Sequence, residues 1–399
     1  MTKNDCGAIE QPQALDTATT RRRLTIGLPK SLVAGERRFP ITPDAARSLT
    51  ERGYLVKIEE GAPRSICYTD EAYSRVGAVI TDRTNALGCD IVIHPAPLSV
   101  DDIKRLRRGA ILFTLANFNR QQGAEVVRQL LARHIINIAI DLIVDRAGNH
   151  PFADILSEIA GRAAIVLAAA MMADTSRGKG ILPGGIAGVI PCEVLVLGSD
   201  IGACAAARSA LGLGATVKMF DADVYRLRRV LRDLDGNVTG SSIHPHALEN
   251  ALRTADIVIS TDMTDGAVIV DALGADMMKR GVIIFDLSTD PGHVFPSLPT
   301  VDAALAAGTP LPGGGCEPRR LCYINAGSTV PRTAAMALSD TFITMFDEID
   351  GCQDSSRAIM LTAGLQEAAL TFLGKAVNQR VAKIAGVRYT DIRIMLALS

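Results

Sequence analysis

The chain has no tryptophan, and aromatic residues make up only 4% of its 399 positions. That leaves few rings for stacking nucleobases. Net charge is missing as well: 42 basic residues face 43 acidic ones, a formal charge of −1. No broadly basic nucleic-acid surface is expected from such a balance. The eight cysteines contain no CxxC pair, so zinc spacing is absent, and a chain of this length needs no disulfide framework. Free thiols in a cytoplasmic protein are the expectation. Long apolar runs are lacking too. The longest, Ala163 to Ala173, is far shorter than the roughly 20 residues that span a bilayer. Residues 1–23 are polar, end in Arg21-Arg22-Arg23 and lack the apolar core of a secretory signal, so they read as a flexible tail.

What is present is hydrophobic and small: 48% apolar residues, with 35 glycines. Short apolar strands alternate with helical patterns. Leu24 to Leu28, Tyr54 to Glu59, Ala78 to Ile80, Asp90 to Ile93, Ala110 to Thr114 and Ile135 to Ala139 read as strands. Thr42-Pro43 reads as a helix cap followed by proline in the first turn. Strands separated by helices imply a parallel sheet of βαβ units. A long Ala-rich helix is expected from about Ser157 to Ala173, followed by a glycine-rich loop and a second α/β block opening at Glu193. The segment after Val330 reads as helix. The expected architecture is α/β and two-domain: a tail at 1–23, a first part of a substrate domain at 24–149, a Rossmann-type dinucleotide-binding domain inserted at 150–331, and helices at 332–399 returning to the split domain.

The second block carries a dinucleotide signal. Val194 to Leu197 is a strand, Gly198 follows, and Ala203 to Leu211 is helical, with Asp221 at the end of the next strand. A glycine turn, a helix N-terminus for the pyrophosphate and an acid for the ribose hydroxyls are the parts of an NAD site. Asp221 favours NAD over NADP, because a carboxylate repels a 2′-phosphate. The fingerprint departs from G-x-G-x-x-G/A at one point: Gly198-Ser199-Asp200-Ile201-Gly202-Ala203 has Asp200 where a glycine lets the backbone approach the pyrophosphate. A functional site here requires Asp200 turned outward and Gly202 supplying the close approach. The alternative is a Rossmann-shaped domain that no longer binds dinucleotide tightly.

Several ordered segments carry a family resemblance. They are Gly27-Leu28-Pro29-Lys30, Arg38 to Pro43, Gly109 to Thr114, Ser157 to Arg162, Gly184 to Val189, Asp286 to Gly292 and Val330-Pro331-Arg332-Thr333. From about Leu24 to Asp391 the chain resembles the alanine dehydrogenase/pyridine nucleotide transhydrogenase family, on its alanine dehydrogenase side. The resemblance implies an NAD-dependent oxidoreductase that assembles as a homo-oligomer. It implies that Arg38 holds a substrate carboxylate, a bidentate pairing with demanding geometry. It further implies that Asp290 lies beside nicotinamide and substrate, that Ser157, Asp221 and Arg226 contact NAD, and that Gly198, Asp200, Ile201, Gly202 and Met263 border the cofactor.

Two central positions depart from the family. Its catalytic lysine falls on Ala96, or on Pro95 if the prolines are aligned, and its histidine falls on Asn117. Asparagine hydrogen-bonds a carbonyl but neither gives nor takes a proton. Asp262 replaces an apolar residue near the expected cofactor. His94 is a substitute acid to be weighed against a structural histidine, and His293 is a second. His244 and His246 lack partners at metal spacing. The sequence therefore points to an oxidoreductase acting on the C–N bond of an amino acid or imine other than alanine, of amino-acid dehydrogenase or imine/opine-reductase type. Asp290, Asn117 and His94 are its catalytic candidates. The alternatives are a same-fold lyase or condensing enzyme without hydride transfer, and a non-catalytic regulatory homologue.

Overall fold

The computed structural model describes residues 24–116, 123–175, 178–263, 270–289, 292–301, 320–349 and 362–397. Fourteen strands are found among them. They are β1 (Thr25–Leu28), β2 (Leu55–Glu59), β3 (Val79–Thr81), β4 (Ile91–Ile93), β5 (Ile111–Thr114), β6 (Ile136–Ala139) and β7 (Glu193–Leu197), followed by β8 (Thr216–Phe220), β9 (Val238–Ser241), β10 (Ile257–Ser260), β11 (Ile283–Asp286), β12 (Cys322–Tyr323), β13 (Ala369–Phe372) and β14 (Lys375–Ala376).

They form two sheets. The first runs β14-β13-β6-β5-β4-β1-β2-β3 and the second β12-β11-β10-β7-β8-β9. The second is wholly parallel, and counted from β7 its order is the doubly wound 3-2-1-4-5-6. The first six strands of the other sheet repeat that order in parallel register. Both sheets thus reverse direction of winding at an internal point, between β1 and β4 and between β7 and β10. The loops leaving those strands open a crevice.

Sequence and structure differ at two places. The segment after Val330 is not all helix: β13 and β14 add antiparallel strands to the β6 edge. Alternation is weak in these short apolar strands, and only pairing with β6 gives their backbone groups partners. The long helix begins at Pro151 rather than near Ser157 and runs to Ala173. Proline suits a first helical turn because its missing N–H needs no partner there.

That helix is long and apolar enough to cross a membrane, yet its apolar side is spent inside the protein. Phe152 at its start packs on Phe342, which also meets Phe113 of β5. Farther along, Ala163, Ala164 and Ala168 join the core of the second sheet with Ala203, Ala206 and Ala207. Such small residues bring two helices close. A Cβ on Gly161 would lie 2.2 Å from the carbonyl oxygen of Gly202, so the contact between the long helix and helix Ile201–Gly212 requires glycine. Each large aliphatic side chain fully buried in these cores contributes about 1.5–3 kcal/mol.

Candidate functional site

A cleft of about 440 Å³ lies between the two sheets, walled by the loops after their strands and by the first turns of the long helix. From the first sheet come Glu36 and Arg38 after β1, Leu115 after β5 and Asp141 after β6. The second sheet contributes Asp200 and Ile201 after β7, Asp262 after β10 and Asp286 at the end of β11. Ser157 and Asp154 project from the long helix, and Asn325 from the loop after β12.

Arg38 stands in this wall, as the sequence implied, but already paired. Its Nε donates to Glu36 Oε1 at 2.8 Å and its Nη2 to Oε2, while Nη2 also lies 3.4 Å from Asn325 Oδ1. Burial acts to raise the Glu36 carboxyl, but the adjacent guanidinium outweighs it and holds Glu36 below the usual carboxylate range. Glu36 therefore fixes the fork of Arg38, leaving Nη1 without a partner among the described residues. Asn325 adopts the left-handed conformation, φ 58°, which asparagine tolerates better than most side chains.

Asp200 is not turned outward. It caps helix Ile201–Gly212, its Oδ1 accepting from the Ala203 amide at 2.7 Å. A capping residue must bring its own oxygen to the first-turn amides, and those amides are the ones a pyrophosphate would use. Burial pushes the Asp200 carboxyl up, and the negative charge of Asp262 adds to this, against the Ala203 and Thr261 hydrogen bonds and Arg226. Gly202 does not face the cleft: a Cβ there would meet the Ser157 hydroxyl at 2.5 Å, so its bareness serves helix packing. Gly198 lies behind the lining, at φ 120°, with its Cα against Thr261. Asp262 accepts from the Thr289 amide at 3.0 Å and from the Thr289 hydroxyl at 2.5 Å, which ties the loops after β10 and β11 together.

Four expectations need correction. Asp221 is 0% exposed and outside the cleft, taking the Ser199 hydroxyl at 2.6 Å and the Asp223 amide at 2.8 Å. It braces the glycine turn instead of presenting a carboxylate to a ribose. Met263 packs against the core of the second sheet and does not line the cleft. His94 is 2% exposed, also away from the cleft, with Nδ1 against the Ala96 backbone. Burial lowers its pKa and holds the ring neutral, so it is no acid for this site. His293 is exposed and does not line the cleft either. Arg226, Ser157 and Ile201 do line it. Asn117 and Asp290 lie outside the described residues. Ala96, at the position of the family lysine, is 1% exposed. No group of histidines, cysteines and carboxylates suited to a metal occurs among the described residues.

Sequence reading missed Glu36, Asp141 and Asn325. Asp141 had a legible signal, being the single acid at the end of the apolar run Ile135 to Ile140, where a parallel strand delivers residues to a crevice. Its Oδ1 accepts from the Ala116 amide at 2.8 Å. Burial pushes its carboxyl up to about 6, against the Ala116 amide and Arg38, with Asp262 adding to the rise.

The chain matches a known family along most of its length. Residues 27–163 fit the N-terminal domain model of alanine dehydrogenase/PNT and residues 164–379 its C-terminal domain model. The chain belongs to the alanine dehydrogenase/PNT family. An alanine dehydrogenase of Mycobacterium tuberculosis is 29% identical over 385 residues, covering 94% of this chain and 100% of that one. One from Methanococcus maripaludis is 28% identical over 376 residues, covering 92% and 98%. Among solved structures, an L-alanine dehydrogenase superposes with a TM-score of 0.77 at 23% identity, covering 90% of this chain and 99% of the other. A transhydrogenase from Sinorhizobium meliloti gives 0.67 at 18% identity, covering 89% and 99%. These two structures share the two-domain Rossmann-type fold.

Proposed function

We propose that this chain is an NAD-dependent oxidoreductase acting on the C–N bond of a carboxylate-bearing amino acid or imine other than alanine. The observation that carries the reading is the cleft itself. It joins the switch points of two doubly wound sheets, with a fixed guanidinium on one wall and a dinucleotide-type strand-turn-helix on the other. Membership of the alanine dehydrogenase/PNT family supports the same reaction class.

The residues present fit a dinucleotide in outline. The turn after β7 has its required glycine at φ 120°, and Ile201, Arg226 and Ser157 border the space. Asp200 restricts that fit, since a charged carboxylate at the helix cap opposes a phosphate. Burial raises the Asp200 pKa, which acts in the direction of easing that opposition. The nicotinamide, when bound, supplies or accepts the hydride. The chain itself orients the substrate: Arg38 holds the carboxylate through its free Nη1 edge, with Glu36 preventing the fork from turning. The route that the resemblance implies for alanine is closed, because neither Ala96 nor buried His94 can exchange a proton in the cleft.

Titration calorimetry with NADH and NADPH tests the reading, with binding of at least one of them expected. No binding of either at millimolar concentration would sink it. NADH oxidation with a panel of 2-keto acids and amines then finds the substrate, and Arg38→Ala should raise its KM without unfolding the protein. The second reading, a same-fold lyase or condensing enzyme, is favoured by Asp200 at the anion site and predicts turnover without NADH.

Free Cys67, Cys89, Cys192, Cys204 and Cys322 support a reducing, cytoplasmic setting. Self-association is proposed through the loop carrying Leu182, Ile186 and Ile190, the last 89% exposed, since exposed apolar groups of this size favour a second copy. Light scattering should show Ile190→Asp as a smaller species.

A further inference from the structure

We propose that Asp141 is the group that exchanges a proton with the substrate nitrogen, in a cleft whose described lining holds no lysine and, of the histidines, His150. The inference rests on the oxidoreductase reading above and names the proton path of the same site.

Position comes first. Asp141 directly follows β6 and lines the cleft that Arg38 also lines. The two charges interact across it. A carboxylate seated on Arg38 brings the neighbouring α-carbon and its nitrogen toward Asp141. Fixation comes second. The Ala116 amide holds Oδ1 at 2.8 Å, and the residue's own backbone amide also supports the carboxyl, so the group is held in place at the cleft wall from the backbone side. Poise comes third. A side chain exchanges protons best when its pKa lies near working pH, and burial pushes Asp141 up to about 6. The same cleft is lined by Arg38 and Glu36 from the first sheet, by His150 at the cap of the long helix and Asp154 on it, and by Asp200, Arg226, Asp262 and Asp286 from the second sheet. Of these, Arg38 and Asp262 act on it in opposite directions. His150 also lines the cleft but is exposed, and solvent competes there for its proton.

The step balances simply. In the oxidative direction an ammonium N–H bond breaks, its proton forms an O–H bond on the Asp141 carboxylate, and the electron pair stays on nitrogen. The neutral amine could then lose hydride from carbon to the nicotinamide that the oxidoreductase reading requires, because the nitrogen lone pair fills the developing C=N bond. In the reducing direction the Asp141 proton passes to an imine nitrogen, leaving an iminium beside a carboxylate that Arg38 stabilises.

The test compares two probes by calorimetry: iminodiacetate, which carries an amine beside carboxylates, and propionate, which has no nitrogen. For wild type, iminodiacetate affinity should rise about tenfold from pH 5 to 7.5, as Asp141 ionises and meets the ammonium. Asp141→Asn should bind iminodiacetate about tenfold more weakly at pH 7.5 and lose this pH dependence, while propionate affinity is unchanged or improved. Asp141→Glu should restore the pH limb. Thermal unfolding should find Asp141→Asn folded, since it removes a desolvated carboxyl. The same pH dependence in Asp141→Asn, or parallel losses for both probes, would overturn the proposal. Binding of propionate but not iminodiacetate to wild type would overturn it as well. Binding of NADH and iminodiacetate with no effect of Asp141→Asn leaves the oxidoreductase reading standing and removes Asp141. Failure to bind NADH, NADPH and both probes removes that reading, and the proposal with it.

Discussion

Oδ1 of Asp200 lies 2.7 Å from the backbone nitrogen of Ala203, so the helix that should greet a pyrophosphate begins with a carboxylate of its own. The two anions compete for one set of amides and one dipole end.

Asp200→Gly should therefore bind NADH about tenfold more tightly, a gain of about 1.4 kcal/mol. It should cost only a few tenths of a kcal/mol in helix capping. Because burial raises the Asp200 pKa, wild-type affinity should increase as pH falls and the carboxyl takes up its proton. Asp200→Gly should flatten that slope. Calorimetry from pH 5 to 8 reads both effects, and equal slopes in the two proteins would assign the linkage elsewhere.

Glu36→Ala strands the Arg38 guanidinium in a buried wall. Breaking a buried pair from one side costs about 3 kcal/mol, measurable by urea unfolding at pH 7. The Glu36 carboxyl is held below the ordinary value for a glutamate, so its contribution is complete above that ordinary value. It is lost as pH falls through the lower folded-state value. The stability gap between wild type and Glu36→Ala should thus close in acid; a constant gap would mean that the ion pair is not its source.

The helix contact at Gly161 offers a test of packing alone. Gly161→Ala places Cβ 2.2 Å from the backbone oxygen of Gly202, which cannot step aside, and the strain should cost about 2 kcal/mol despite the better helix propensity of alanine. Gly202→Ala meets mainly the Ser157 hydroxyl at 2.5 Å, a side-chain atom that rotates away, and should cost about 1 kcal/mol or less. Chemical unfolding that ranks the pair in the opposite order would refute this geometry.

Buried His94 should behave as a structural residue. Its folded-state pKa is lowered from 6.5 by burial, so the unfolded chain binds a proton that the folded chain refuses. Stability is full above about pH 6.5 and falls as pH drops below it. His94→Asn should lack that loss between pH 6.5 and 5, and should leave propionate affinity at Arg38 unchanged. A weakened affinity would return His94 to the site.

Much of this was legible in the sequence. Apolar strands alternating with helices announced two parallel sheets, and Pro43 and Gly198 marked a helix start and a tight turn. Arg38, Ile201, Arg226 and Ser157 were placed at the cleft from ordered motifs and do line it. Motif position names the strand that delivers a residue, but not which way its side chain finally points. For that reason Asp221 and His94 were expected in a site that their burial closes to them, and Met263 in one that it leaves for the core of the second sheet.

Composition and local pattern determined the α/β class and the glycine turn. These depend on backbone sterics and on side-chain period, both of which are written along the chain. Tertiary structure decided the rest. Only packing of two helices through Gly161 and Gly202, and alignment of two switch points, set Glu36 against Arg38, Asp200 on its own helix and Asp141 in a desolvated wall. Desolvation and charge proximity belong to neighbours distant in sequence. The near-neutral total of 42 basic and 43 acidic residues therefore says nothing of a cleft whose chemistry rests on where a few carboxylates were brought together.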